Sequence, residues 1–418
     1  MNRRRFFIRA ARLVLASLAC ATKHSGVPMA ADDVSQRKSL LSATHTNQPM
    51  QSVTIFLSGD VMTGRGIDQI LPHPSRPHLF ESYVRSARGY VELAERASGS
   101  IPRPVHFPYI WGEALGELER VQPDVRIVNL ETSVTLSEDA WPDKGIHYRM
   151  HPANVPCLTA AKLDCCILAN NHVLDWGRSG LVETLDTLHK NQIRTAGAGR
   201  DEDEASAPAA LNLPGPGRVL VFAFATTDSG VPQDWSAGRG RPGVNFLEDL
   251  SGQRVAAIAR SVDVHKCAGD VAIASIHWGG NWGFTIPAGQ RVFAHRLIDA
   301  AGIDLVHGHS SHHVKGIEVY RGKLILYGCG DFLNDYEGID GYEDYRDDLS
   351  LMYFATLDRA SGLLLGLRMK PTQTRRFRVD RAPEEGLVWL SKTLNREGGK
   401  LGTRLDRQPD AAFLLRWS

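Results

Sequence analysis

The feature that most constrains this chain is a repeated one. Short apolar runs stop abruptly on glycine, amide, imidazole or carboxylate residues. The clearest case is Cys165-Cys166-Ile167-Leu168, which leads straight into Asn170-Asn171-His172 and then Asp175. The run is short and apolar throughout, and reads as a buried strand. The pattern recurs at 53–57 before Ser58-Gly59-Asp60, at 125–128 before Asn129-Leu130-Glu131, at 271–276 before His277, and at 303–306 before the histidine-rich run 307–313. Helical periodicity fills the spaces between, near 112–121, 152–162, 180–191, 255–262 and 290–301. Strands alternating with helices predict an α/β chain. In such chains, sites form beyond the carboxyl ends of the strands.

Five strand ends therefore carry metal-competent residues: Asp60, Glu131, Asn171 with His172, His277, and the cluster 308–313. Carboxylates, imidazoles and an amide, without thiolates, suit a borderline-hard divalent ion such as manganese, zinc or iron, singly or as a pair. Magnesium alone would not favour this many imidazoles. His172 is placed for proton transfer. Asp175, three residues on, reads either as its orienting partner or as a cap for the helix that follows. Arg65, just past the first strand, reads as an anion-binding group or as the partner of a structural carboxylate. The glycine-rich turn 58–66 is neither a Walker loop nor a dinucleotide fingerprint. Trp278 and Trp282 read as rim packing, His307 as a packed strand-end residue, and His73, His78 and His313 as surface or loop residues.

Composition excludes some functions. The chain has 48 basic and 47 acidic residues, a formal net charge of +1, which argues against a nucleic-acid-coating surface. Cysteines sit mostly in apolar, strand-like contexts without CxxC spacing, so they read as core residues and not as a disulfide framework. At the N-terminus, Asn2-Arg3-Arg4-Arg5-Phe6-Phe7 followed by a modest apolar stretch reads as a twin-arginine signal over 1–31. This predicts export to the periplasm or beyond, without a lipid anchor at Cys20. No other stretch is long and apolar enough to span a membrane. Residues 32–51 read as a linker and 52–357 as the main domain, with 71–108 as an inserted lid. Residues 358–418 read as a C-terminal extension.

The ordered set GDVMTGR, NLET, ANNHVLDWG, HWG and GHSSHHVKGIEVYRGKLILYGCGDF resembles the CapA (poly-γ-glutamate biosynthesis, PgsA-type) family. That family is a branch of the calcineurin-like metallophosphoesterases. The resemblance covers roughly residues 52–357. It implies a four-layer α/β/β/α sandwich and a role in making anionic surface polymers. It further implies an anionic polymer, or a small phosphoester or amide, as substrate, with membrane synthase subunits as partners. By that resemblance Asp60, Glu131, Asn171, His277 and His312 match metal-binding positions, His309 matches less closely, and His172 matches a proton donor to a leaving group. Met62 stands where phosphoesterases keep a histidine ligand. Asn281 and Asp331 also depart from the common pattern. The departure at Met62 opens a second reading, a non-catalytic subunit that binds the polymer or its synthase. A third is a secreted phosphoesterase for small esters.

Overall fold

A computed structural model describes residues 52–418; the expected signal and linker lie outside the described residues. Two large sheets dominate. The first has ten strands, and Ser52–Val61 runs through its middle. On one side this strand pairs in parallel with Val125–Leu130, followed by Cys165–Ile167 and Arg194–Ala196. On the other it pairs antiparallel with Leu349–Asp358. The order then continues through Leu364–Arg375 and Phe413–Trp417 to Thr403–Arg407. The boundary expected at 357 thus falls inside a strand, and residues beyond it complete the same sheet.

The second sheet has seven strands, with Arg218–Thr226, Val271–His277, Leu305–His309 and Lys323–Leu326 as its parallel centre. Alternation along these strands divides its two faces. Val219, Val221, Ile273 and Leu305 join a core shared with Leu57, Ile127 and Ile167 of the first sheet. Leu220, Phe222, Ala274, Ile276 and Val306 join a second core instead. That core is closed by the helices Gly252–His265 and Ala288–Ala300, through Val255, Ile258, Phe293 and Leu297. Ser275, His277, His307 and His309 share the parity of Ile273 and Leu305, so their side chains point between the sheets. This is the fact of the fold that places the site.

The segment 71–108 is seated in the main core and does not stand free as a lid. Leu71, Leu79, Tyr90, Val91, Ala94 and Val105 are all buried there. Its helix Arg88–Ser98 turns Tyr90, Val91 and Ala94 inward. Among the described residues no helix is long and apolar enough to cross a membrane.

Candidate metal centre

The Ser52–Val61 strand delivers Asp60 to the gap between the sheets. Its last turn is tight: a Cβ on Gly59 would lie 1.7 Å from the carbonyl oxygen of Gly330. That same carbonyl accepts the Asp60 N–H at 3.0 Å. Asp60 is fully buried and pairs in register with Asp331 of the short strand Asp331–Leu333. From the neighbouring strand, Asn129 Nδ2 donates to Asp60 Oδ1 at 2.7 Å and to Glu131 Oε2 at 3.3 Å. Asn129 and Glu131 thus face the same side, as their spacing predicts.

The second sheet supplies the imidazoles. His277 and His309 are register partners, and their Nδ1 atoms lie 2.8 Å apart. His309 Nδ1 is 3.9 Å from Asp60 Oδ1. His277 Nε2 is 3.1 Å from Asn171 Oδ1 and 3.9 Å from Glu131 Oε1. On the other side of Asp60, His312 Nδ1 meets Asp331 Oδ1 at 2.9 Å. Asp60 therefore belongs to two buried groups that can each hold an ion, one with His277 and His309 and one with His312 and Asp331.

His172 closes the site from the turn after Cys165–Ile167. Its Nδ1 is 2.7 Å from Asp175 Oδ2, and its Nε2 is 3.8 Å from Glu131 Oε1. Burial favours the neutral form of Asp175, but His172 and Lys144 together outweigh it and hold the carboxyl below its usual range. Lys144 Nζ also lies 3.2 Å from Nδ1, but the Asp175 carboxylate is closer and only accepts, so His172 carries its proton on Nδ1 and presents a bare Nε2 to the site. The structure favours the orienting role for Asp175 over the capping one. The next helix begins at Gly177 with Trp176 at its cap position, and no side chain caps it. The Lys144 amine sits against Asp175 and the Asn171 carbonyl.

Do these residues fit a divalent ion? His172 offers a bare nitrogen, Asn171 an amide oxygen, and Asp60 and Glu131 carboxylates, all turned into one buried space. Burying carboxylates without opposing charge is costly. Burial and the neighbouring Asp331 push the Asp60 carboxyl up to about 7. Burial and Asp60 push Glu131 well above the usual range. Burial takes His172 down to about 4, and His277 and His309 well below the usual imidazole range. His312 is the exception: burial opposes its charge, but Asp331 outweighs burial and raises it. Neutral imidazoles facing protonated acids are what strong cation sites become when no cation is bound. The donor set fits the ion.

Arg65 does not join this set, which corrects the anion-binding expectation. It is buried, with Nη2 at 2.5 Å and Nε at 3.1 Å from the Asp335 carboxylate. Its Nη1 donates to Glu81 at 2.9 Å and to Tyr90 at 3.0 Å. Those contacts occupy the faces of the guanidinium that an anion would need. His313 is also corrected: it is buried against Trp282, Phe284 and Tyr345. Trp278 packs inside, donating to the Tyr327 carbonyl at 3.0 Å. Asn129, Lys144 and Asp331 were not expected in these roles. One clue was present for Asp331: Gly330-Asp331 repeats the glycine–aspartate step of Gly59-Asp60.

Two sheets enclosing a buried set of carboxylates, an amide and imidazoles define an α/β protein with a candidate divalent-metal centre. The chain belongs to the family described as bacterial capsule synthesis protein PGA_cap, which matches residues 54–336. It is 49% identical over 359 residues to a probable polyglutamine synthesis accessory protein of Mycobacterium tuberculosis, covering 86% of this chain and 94% of that one. It is 26% identical over 296 residues to the PGA biosynthesis protein CapA of Bacillus subtilis, covering 71% and 66% of the two chains. With the capsule biosynthesis protein CapA of Bacillus anthracis it shares 22% identity over 357 residues, covering 85% and 76%.

Proposed function

We propose that this chain is an exported, metal-dependent hydrolase of the metallophosphoesterase type, serving production of a capsule-like polyglutamate polymer. The carrying observation is the pair of buried groups that share Asp60, one completed by His277 and His309 and the other by His312 and Asp331. We read the two facing sheets and their outer helices as the four-layer sandwich of that superfamily. Manganese, zinc or iron, one ion or two, suits the nitrogen and oxygen donors. Held there, such an ion would supply Lewis-acid charge to a phosphoryl or acyl oxygen. Around it, Asp60, Glu131 and the imidazoles hold position. His172 is neutral at rest, so it begins the reaction as a base and then serves as the proton donor to the leaving group that the resemblance implies. Its bare Nε2 takes a proton from the attacking water. As the bond to the leaving group breaks, that proton passes to the departing alkoxide or amine. Asp175 holds the ring throughout and stabilises its transient charge.

The substrate in this reading is a phosphoester or a γ-glutamyl amide, and the setting is the periplasm or beyond, reached by the twin-arginine route. A panel of phosphoesters and γ-linked amides, run with metal-loaded protein, tests it. Turnover should fall about 10²- to 10⁴-fold in His172→Gln and vanish in Asp60→Asn. Equal turnover in all three proteins would overturn the mechanism. Replacing Arg3 and Arg4 with lysine should strand the protein in the cytoplasm on fractionation.

A second reading is a non-catalytic subunit that binds polymer or synthase. The Met62 thioether favours it, since a soft sulfur at that position faces Tyr336 Oη at 3.7 Å and adds no hard donor. The accessory naming of the mycobacterial relative points the same way. Protein that takes up no transition metal would support this reading over the first.

A further inference from the structure

A chain of buried hydrogen bonds runs behind the candidate centre and joins the two sheets. It begins at the Ser58 carbonyl on the first sheet, 2.9 Å from His307 Nε2. His307 Nδ1 is 3.0 Å from Ser275 Oγ, and Ser275 Oγ is 3.0 Å from His309 Nε2. Ser275 and His307 are register partners, two residues behind His277 and His309 on the same face. All of these side chains are buried.

The direction of each bond follows from its chemistry. A carbonyl only accepts, so His307 carries its proton on Nε2. His307 is buried with no carboxylate among its bonded partners and stays neutral, so its Nδ1 accepts. Ser275 has one hydroxyl proton and gives it to His307. Toward His309 the serine oxygen then accepts, which puts the His309 proton on Nε2. His309 Nδ1 is left bare and faces Asp60 and His277.

We propose that Ser275 and His307 are positioning residues that fix His309 as the tautomer presenting Nδ1 to the metal. The inference rests on the metal-centre reading and deepens it. His277 sharpens the case. A neutral imidazole has one proton, but His277 has two contacts to satisfy: His309 Nδ1 at 2.8 Å and Asn171 Oδ1 at 3.1 Å. With His309 Nδ1 bare and an amide oxygen on the other side, one contact sets two lone pairs against each other. A cation seated among these atoms removes the conflict. The chain also ties the ligand to the spacing of the sheets. Its anchor is backbone of Ser52–Val61, the strand that carries Asp60, so both ligands are held from one strand.

The test uses the full chain labelled with ¹⁵N-histidine, with His309→Gln assigning the resonances. Before metal is added, long-range ¹H–¹⁵N spectra should give His309 as the Nε2–H tautomer. The Nδ1–H tautomer would overturn the proposal. Zinc affinity is then read by chelator competition, and the site geometry by the cobalt(II) visible spectrum. Ser275→Ala should lose about 10- to 100-fold in zinc affinity and alter the cobalt spectrum. Ser275→Thr, which keeps the hydroxyl, should restore both. A folded Ser275→Ala protein with unchanged affinity and spectrum would also overturn the proposal. If Ser275→Ala does not fold, the wild-type tautomer alone decides the matter. If the wild-type chain takes up neither zinc nor cobalt, the metal-centre reading falls, and the tautomer still judges the hydrogen-bond chain on its own.

Discussion

Asp60 is the residue on which the site turns, because both buried groups need it. Its carboxyl holds a proton up to about 7, through burial and Asp331. A metal ion must displace that proton. Metal affinity should therefore rise with pH through about 7, and at pH 6 uptake should release protons. Calorimetry in buffers of differing ionisation heat measures both. The imidazoles set a second pH dependence, in stability. Burial takes His172 and His307 down to about 4, against about 6.5 in an unfolded chain. Between these values the unfolded state binds protons that the folded state refuses. Their contribution is thus full above pH 6.5 and is lost as pH falls toward 4. Asp60 works in the opposite direction between about 4 and 7, since there the folded state holds the extra proton. Acid titration followed by circular dichroism should accordingly give a steeper transition in Asp60→Asn than in the wild type, because the opposing proton release is gone. Arg65 makes a separate claim. It is a buried partner of Asp335 and Glu81, so Arg65→Met should cost about 3–5 kcal/mol by denaturant unfolding, without abolishing metal uptake.

At the scale of elements, the site depends on how two strands end. Gly59 has no room for a side chain, because Gly330 backbone lies against it. Gly59→Ala should push Asp60 away from Asp331 and reduce metal content, read by elemental analysis on protein still folded by circular dichroism. The helix Gly177–Lys190 fixes the His172 turn by burying Leu181, Leu185 and Leu188. Leu185→Ala should cost about 2–5 kcal/mol. Much of this was legible in sequence. The runs before Asp60, Glu131, Asn171, His277 and His307 are strands, and the helix expected at 180–191 is Gly177–Lys190. Local periodicity sufficed because each core strand is apolar and each helix is one-sided. What was not legible depends on long-range pairing. Asp331 enters the site only because a three-residue strand pairs with Asp60 across the chain. Lys144 sits on an irregular loop that no periodicity marks. Arg65 adjoins the site in sequence, yet points away to carboxylates brought by the 71–108 segment and by Asp335.

For the whole molecule, the C-terminal residues matter most to integrity. Phe413–Trp417 pairs with Leu364–Arg375, which pairs with Leu349–Asp358, next to the Asp60 strand. A chain ending at 357 should lose those strands, expose the hydrophobic face that Met369 and Phe413 cover, and fail to yield soluble folded protein. The sequence reads as an extension there because the family resemblance ends near 357 and the residues beyond it carry no candidate site group. The central claim concerns what the two sheets enclose. The most direct measurement is the metal content of purified full-length protein by elemental analysis, alongside Asp60→Asn and His277→Ala variants prepared identically. At least one equivalent of manganese, zinc or iron is expected in the wild-type chain, and its loss from both variants. A wild-type chain that carries no transition metal even after reconstitution, or variants that retain it in full, would mean that Asp60 and His277 do not form a metal centre.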